Sequence, residues 1–322
     1  MRILVTGATS LLGGAVARRL LERGDDVRAF QRRPGSLVVD ERLGSIEDET
    51  AVASAAEGAD AILHLAARVG VTGRWLDFEE TNVGGTANVI AAARAVGARR
   101  LVHVSSPSVG HAGTSLVGAG VAPADPGAAR GHYSRSKAMA ERLALAAQGP
   151  ELDVVAIRPH LVWGPGDTQL IGRIVDRARA GRLAIVGSGA ALVDTTYVDN
   201  AADALVAAID RAPKLGGRAL VVSNGQPRPI AELVTRIVAS AGLPPPTRHV
   251  PAVAARVGGS VLERWWEMTG REDDPPMTGF LAEQLSTAHW FDQRETRQAL
   301  GWEPTVGIDE GFRRLREWFA SR

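Results

Sequence analysis

The stretch "YSRSK" sets Tyr133 four residues before Lys137, which puts both on one face of a helix. The chain has two tyrosines, Tyr133 and Tyr197, and two lysines, Lys137 and Lys214, among 37 basic residues, so the pairing is not a by-product of composition. A phenol titrates near ~10, and a neighbouring ammonium is expected to lower that value, making Tyr133 a proton donor to a developing alkoxide. Upstream, "VHVSSPSVG" offers Ser106 at the end of an apolar run, where a hydroxyl can polarise a carbonyl. Ser105 and Ser108 flank it, and a serine here also suits a turn or a helix cap.

A second set of residues suits a phosphate. "TGATSLLGG" follows an apolar run and precedes "AVARRLLERG", the strand–turn–helix context in which bare backbone N–H groups face a pyrophosphate. Gly7 and Gly13 keep the outer positions of a G-x-x-G-x-x-G spacing, while Ser10 replaces the middle glycine. Its hydroxyl is expected to donate to a phosphate oxygen in compensation. The next apolar run ends "VRAFQRR", with Gln31 where an NAD-binding fold usually sets an acid. With no carboxylate to repel a 2′-phosphate and with Arg32 and Arg33 following, the arrangement favours NADP(H).

Positioning these groups requires alternating elements. "RILVT", "DVRAF", "AILHLAA", "RLVHVSS" and "LDVVAIRP" read as strands separated by helical stretches, which gives an α/β doubly wound parallel sheet of the Rossmann type. Residues 1–165 form the expected dinucleotide-binding domain. Beyond them "GPGD", "GSGA", "LPPPT" and "DDPPM" break the pattern, so 166–322 reads as a smaller substrate-binding lid, with 193–223 returning to the sheet through "ALVVSNGQ". A formal charge of +1 with no long single-sign run carries no footprint for nucleic acid. The absence of cysteine excludes disulfides and thiolate metal sites, and no metal site is expected. No apolar run has membrane-span length, and a first strand at residue 2 reads as cytoplasmic. "VAARVGGSVLERWW" mixes apolar and basic residues, as an ordinary amphipathic helix or one peripheral to a membrane would.

The glycine loop, "HLAA" at 64–67, "NVGGT" at 82–86, "SSPSV", "YSRSK", "RPHLVWGPGD" and "FDQRETRQALGWEP" together resemble the extended short-chain dehydrogenase/reductase superfamily over essentially the whole chain. The resemblance implies Ser106, Tyr133 and Lys137 as a catalytic triad. It also implies Gly7, Ser10, Leu11, Leu12, Gly13, Ser45, Ile46, Leu65, Ala66, Ala67, Asn82 and Pro159 as the cofactor's lining. Ser45 stands where the family commonly has an aspartate near adenine. "VDTTYVDNAADA" and "FLAEQLSTAHWF" are similar to the branch of 3β-hydroxysteroid dehydrogenases, and most of all to 2-alkyl-3-oxoalkanoate reductases of bacterial olefin biosynthesis. That implies NADPH-dependent reduction of the 3-keto group of a long-chain 2-alkyl-3-oxoalkanoic acid, with a 3β-hydroxysteroid dehydrogenase-like oxidoreductase or a nucleotide-sugar epimerase or dehydratase as the other readings. A homodimer and a complex with other olefin-biosynthesis enzymes follow from the same resemblance. For a hydrophobic carboxylic-acid substrate, Trp75, Trp163, Trp265, Trp266 and Trp290 are expected near the cleft, and Arg68 or Arg74 is expected to hold the carboxylate.

Overall fold

The structure is a computed structural model and describes residues 1–70, 72–110, 113–269 and 277–322, so most of "DDPPM" lies outside the described residues. Seven strands form one parallel sheet: β1 (Arg2–Thr6), β2 (Asp26–Gln31), β3 (Asp40–Leu43), β4 (Ala61–His64), β5 (Arg100–Val104), β6 (Asp153–Pro159) and β7 (Arg218–Val222). Their order is β7-β6-β5-β4-β1-β2-β3. The order reverses between β1 and β4, and the crevice beyond the strand ends at such a point is where open α/β sheets take ligands. The interior strands are buried on both faces, as in "AILH", so they read as continuous apolar runs without alternation.

β3 is the strand that the apolar pattern did not announce. Its sequence "DERL" is charged and largely exposed, because it is the sheet edge and is held by backbone pairing to β2, with Ala29 opposite Glu41. Apolar side chains from both faces of the sheet form two main clusters, one including Val5, Leu63, Val155 and Leu205, the other Leu4, Ile62, Leu101 and Val154.

Three helices bear directly on the site. α1 (Leu11–Glu22) starts at the glycine loop, α2 (Gly85–Ala95) follows "NVG", and α3 (Gly131–Ala146) carries Tyr133 and Lys137. α3 is tied to the sheet by a buried ion pair: Arg158 of β6 donates from Nε to Glu141 Oε2 at 2.8 Å and from Nη2 to Glu141 Oε1 at 2.5 Å. Arg158 also donates to the Ala122 carbonyl at 2.7 Å, so the guanidinium's burial is matched by hydrogen bonds.

Beyond β6 the chain builds a roof. α4 (Ile171–Arg179), α5 (Ile230–Ser240), α6 (Ala252–Thr269) and α7 (Gly279–Gln284) surround a space above the strand ends. A small sheet joins Leu192–Val193, Arg228–Pro229, His289–Phe291 and Leu116–Ala119. It links the roof to the excursion between β5 and α3. No described helix is long and apolar enough to cross a membrane.

Candidate active site

The glycine loop is complete without a third glycine. Gly7 has φ +76°, and a Cβ there would stand 3.0 Å from the Ala66 backbone. A Cβ on Gly13 would stand 2.3 Å from the Gly7 carbonyl oxygen, so only glycine fits. Ser10 has φ −73° and needs no glycine. The expectation for its hydroxyl is corrected: it donates to the Gly7 carbonyl at 2.9 Å and accepts from Gly13 N–H at 3.0 Å, capping α1. The hydroxyl is engaged within the loop, and the α1 N-terminus itself faces the crevice. Leu11 and Leu12 open that helix and are half-buried.

The opposite wall of the crevice is the segment Leu65–Ala67. Thr6 Oγ1 accepts from the N–H groups of Leu65 and Ala66 at 3.1 and 3.0 Å and hydrogen-bonds His64 Nδ1 at 2.9 Å. His64 Nε2 meets Thr86 Oγ1 at 3.0 Å, and Thr86 donates to the Asn82 carbonyl at 2.7 Å. Burial, with the Lys137 charge nearby, pushes His64 down to about 3, so the ring is neutral. Thr86 has already used its proton, so His64 carries its own on Nε2 and accepts from Thr6 on Nδ1. Neither Thr6 nor Thr86 was singled out from the sequence, where each reads as an ordinary strand or helix residue. Asn82 serves the same wall: its amide bonds the Arg68 main chain at 2.7 and 3.1 Å and Ser136 Oγ at 2.9 Å. It is buried and acts as a bracket between this wall and α3.

At the end of β2 the structure overturns one expectation. A carboxylate is present: Glu41 of β3 accepts from Gln31 Nε2 and from Gly35 N–H. Gln31 is buried, while Arg32 and Arg33 are exposed. Arg32 lines a polar recess with Ala67, Arg68 and Thr81. Ser45 is half-buried, and Ile46 packs where a Cβ on Gly85 would stand 2.6 Å from its Cδ1. Pro159 ends β6 beside the same crevice.

Ser106, Tyr133 and Lys137 come together at the ends of β5 and α3. Ser106 stands beside the Tyr133 hydroxyl, and its Oγ lies 2.9 Å from Ser108 Oγ. Lys137 is buried and donates from Nζ to the Val104 carbonyl at 2.6 Å. Burial lowers the ammonium to about 8, with Glu141 opposing that shift. The expectation that Lys137 lowers the Tyr133 phenol is corrected. Burial raises the phenol, the neighbouring Ser106 hydroxyl opposes that shift, and the ammonium instead faces the β5 carbonyl and the neighbouring His64 and His103. Burial therefore keeps the Tyr133 phenol neutral.

From this cluster a cavity of about 1080 Å³ extends under the roof, lined by Ser106, Tyr133, His160, Leu161, Ile174, Val186, Val234, Leu262, Phe280 and Phe291 among others. Of the five expected tryptophans only Trp266 lines it. Trp163 is core, donating to Thr195 Oγ1 at 2.9 Å, and Trp75 stacks under Arg135 at 4.5 Å. Trp265 is exposed, and Trp290 lies over Gly118. The arginine expectation also changes: Arg68 pairs with Asp77 at 3.2 Å and lines the polar recess, and Arg74 precedes the short helix Trp75–Phe78. Among the described residues, the arginines lining the large cavity are Arg173, Arg177 and Arg182.

A parallel sheet with a tight glycine loop at its switch point, beside a Ser–Tyr–Lys cluster whose lysine is buried and whose serine and tyrosine open onto a cavity, defines a Rossmann-type enzyme. The residues fit a dinucleotide, since the loop has no room for a Cβ at Gly13 and Gln31 Oε1 is a buried acceptor with no hydrogen-bond partner among the described residues. The model of the NAD dependent epimerase/dehydratase family matches residues 3–222, and the chain belongs to that family. It is 44% identical to a 2-alkyl-3-oxoalkanoate reductase of Stenotrophomonas maltophilia, with 98% of each chain covered. A second reductase of that name, from Shewanella oneidensis, is 39% identical over 97% of this chain and 84% of its own. The solved structure of MoeE5 in complex with UDP-glucose and NAD superimposes with a TM-score of 0.76 at 25% identity, covering 100% and 99% of the two chains. By family and relatives the protein is an oxidoreductase that works with a nicotinamide cofactor.

Proposed function

We propose that the protein reduces the 3-keto group of a long-chain 2-alkyl-3-oxoalkanoic acid to the 3-hydroxy acid, using NADPH in the cytoplasm. The observation that carries this reading is the large, mainly apolar cavity opening at Ser106 and Tyr133, just above the usual ~300–1,000 Å³ for small-molecule sites. Gly7, Gly13 and the α1 N-terminus would hold the pyrophosphate, with Leu11, Leu12, Leu65, Ala66, Ala67 and Pro159 lining the crevice and Arg32 and Arg33 facing the 2′-phosphate. The nicotinamide, when bound, supplies the hydride to the carbonyl carbon. Ser106 and Tyr133 hold the ketone oxygen, and the neutral Tyr133 phenol gives up the proton that balances the hydride. Arg182, at the cavity wall, would suit a carboxylate.

A guanidinium at the cavity wall also suits a diphosphate, which keeps a nucleotide-sugar substrate as a second reading. Oxidation of 2-alkyl-3-hydroxy acids with NADP across a chain-length series separates the two. Each methylene buried contributes about 0.8 kcal/mol, so kcat/KM should climb about fourfold per methylene until the cavity is full. A flat series, or faster turnover of UDP- or dTDP-sugars, rejects the acid and selects the second reading.

A further inference from the structure

Gln31 ends β2 beside the glycine loop, and its amide orientation follows from chemistry. The Glu41 carboxylate accepts from Gly35 N–H at 2.7 Å and, lacking a proton of its own to give, also takes one from Gln31. The amide nitrogen therefore faces Glu41, and the carbonyl oxygen points away from it. That Oε1 is buried and meets no hydrogen-bond donor among the described residues, a costly state until a donor arrives. The turn that follows is pressed onto the amide: a Cβ on Gly35 would stand 2.8 Å from Gln31 Nε2 and 3.6 Å from Thr9 Cγ2 of the glycine loop. One carboxylate thus sets the direction of the amide and the position of the turn that carries Arg32 and Arg33.

We infer that Glu41 is a specificity-determining residue for the adenosine ribose of the cofactor: it presents Gln31 Oε1 to the 2′-hydroxyl and sets a negative charge against a 2′-phosphate. The inference rests on the proposed placement of that ribose at the end of β2. Two opposed readers then share the site. The arginines attract the phosphate of NADP(H), and the Gln31–Glu41 pair favours the bare hydroxyl of NAD(H), so the preference for NADP(H) is held below what two arginines alone would produce.

Binding, not turnover, tests this. Dissociation constants of the cofactor-free protein for NADPH and NADH are read by fluorescence, and those for 2′,5′-ADP and 5′-AMP by calorimetry. Glu41→Gln keeps an oxygen able to accept from Gln31 and Gly35 and removes only the charge. It should tighten NADPH and 2′,5′-ADP about tenfold and leave NADH and 5′-AMP within about twofold. Gln31→Met removes the acceptor at similar volume and should weaken NADH about tenfold while moving NADPH far less. If Glu41→Gln shifts all four ligands alike, or none, Glu41 does not discriminate and the inference is overturned. The arginine reading fails separately: wild-type protein that binds the two cofactors equally, and that Arg32→Ala with Arg33→Ala leaves unchanged, removes the NADP proposal. The change in the NADPH to NADH ratio caused by Glu41→Gln still decides the role of Glu41.

Discussion

The crevice at the sheet's switch point and the cavity under the roof are built by different means. In the crevice, backbone makes the surface: Gly7 against Ala66, Gly13 against the Gly7 carbonyl, and N–H groups of Leu65 and Ala66 held by Thr6. In the cavity, side chains from α4, α5, α6 and α7 make the surface, and no single one closes it. A backbone surface tolerates few residue types and so leaves a motif. A side-chain surface of the right volume can be composed in many ways, and none of them is a motif.

The largest effect expected lies where the two regions meet. Tyr133→Phe removes the proposed proton donor without disturbing either surface, so turnover should fall about 10²- to 10⁴-fold with NADPH binding retained. Stopped-flow hydride transfer beside a cofactor titration measures both, and near-wild-type turnover would break the assignment. The same exchange made in each region sharpens the contrast. Gly13→Ala should weaken cofactor binding at least about 100-fold, since the new methyl would stand 2.3 Å from a carbonyl fixed by the loop. Gly259→Ala, whose methyl would stand 2.5 Å from the Thr278 backbone, should shift α6 and change KM for long-chain substrates several-fold with cofactor binding intact. Equal effects on cofactor affinity would erase the distinction between the regions.

The smallest effect concerns Lys137 in the cofactor-free protein. Its folded value of about 8 lies below the ordinary ~10.4, so between those pH values the unfolded chain binds more protons than the folded one. Stability contributed at this residue should therefore rise from pH 8 to pH 10. The melting temperature of wild type relative to Lys137→Met should climb a few degrees across that window. A constant difference would show that the ammonium is not destabilised by burial.

Much of this was legible in the residues. The interior strands are apolar because both of their faces are covered, the glycines mark places without room for a Cβ, and a tyrosine and a lysine four apart on α3 must share a face. β3 was not legible, because an edge strand is held by backbone pairing and its "DERL" carries no apolar signal. With β3 went Glu41, ten residues from Gln31 in sequence and in contact with it only through strand register. The tryptophans misled for a related reason. Their area suits either a core or a pocket, and Trp163 went to the core with Tyr197 and Phe312 while leucines, valines and phenylalanines lined the cavity.

Local sequence thus determined the class of fold and that Tyr133 and Lys137 share one helix face, since spacing along one helix or one loop leaves little freedom in where those groups point. Tertiary structure alone decided that Ser10 caps a helix, that Lys137 faces a strand carbonyl and raises no charge against the phenol, and that Arg68 meets Asp77 outside the cavity. Hydrogen-bond partners and burial are set by segments distant in the chain, and a side chain's ionisation and direction follow those partners rather than its neighbours in sequence.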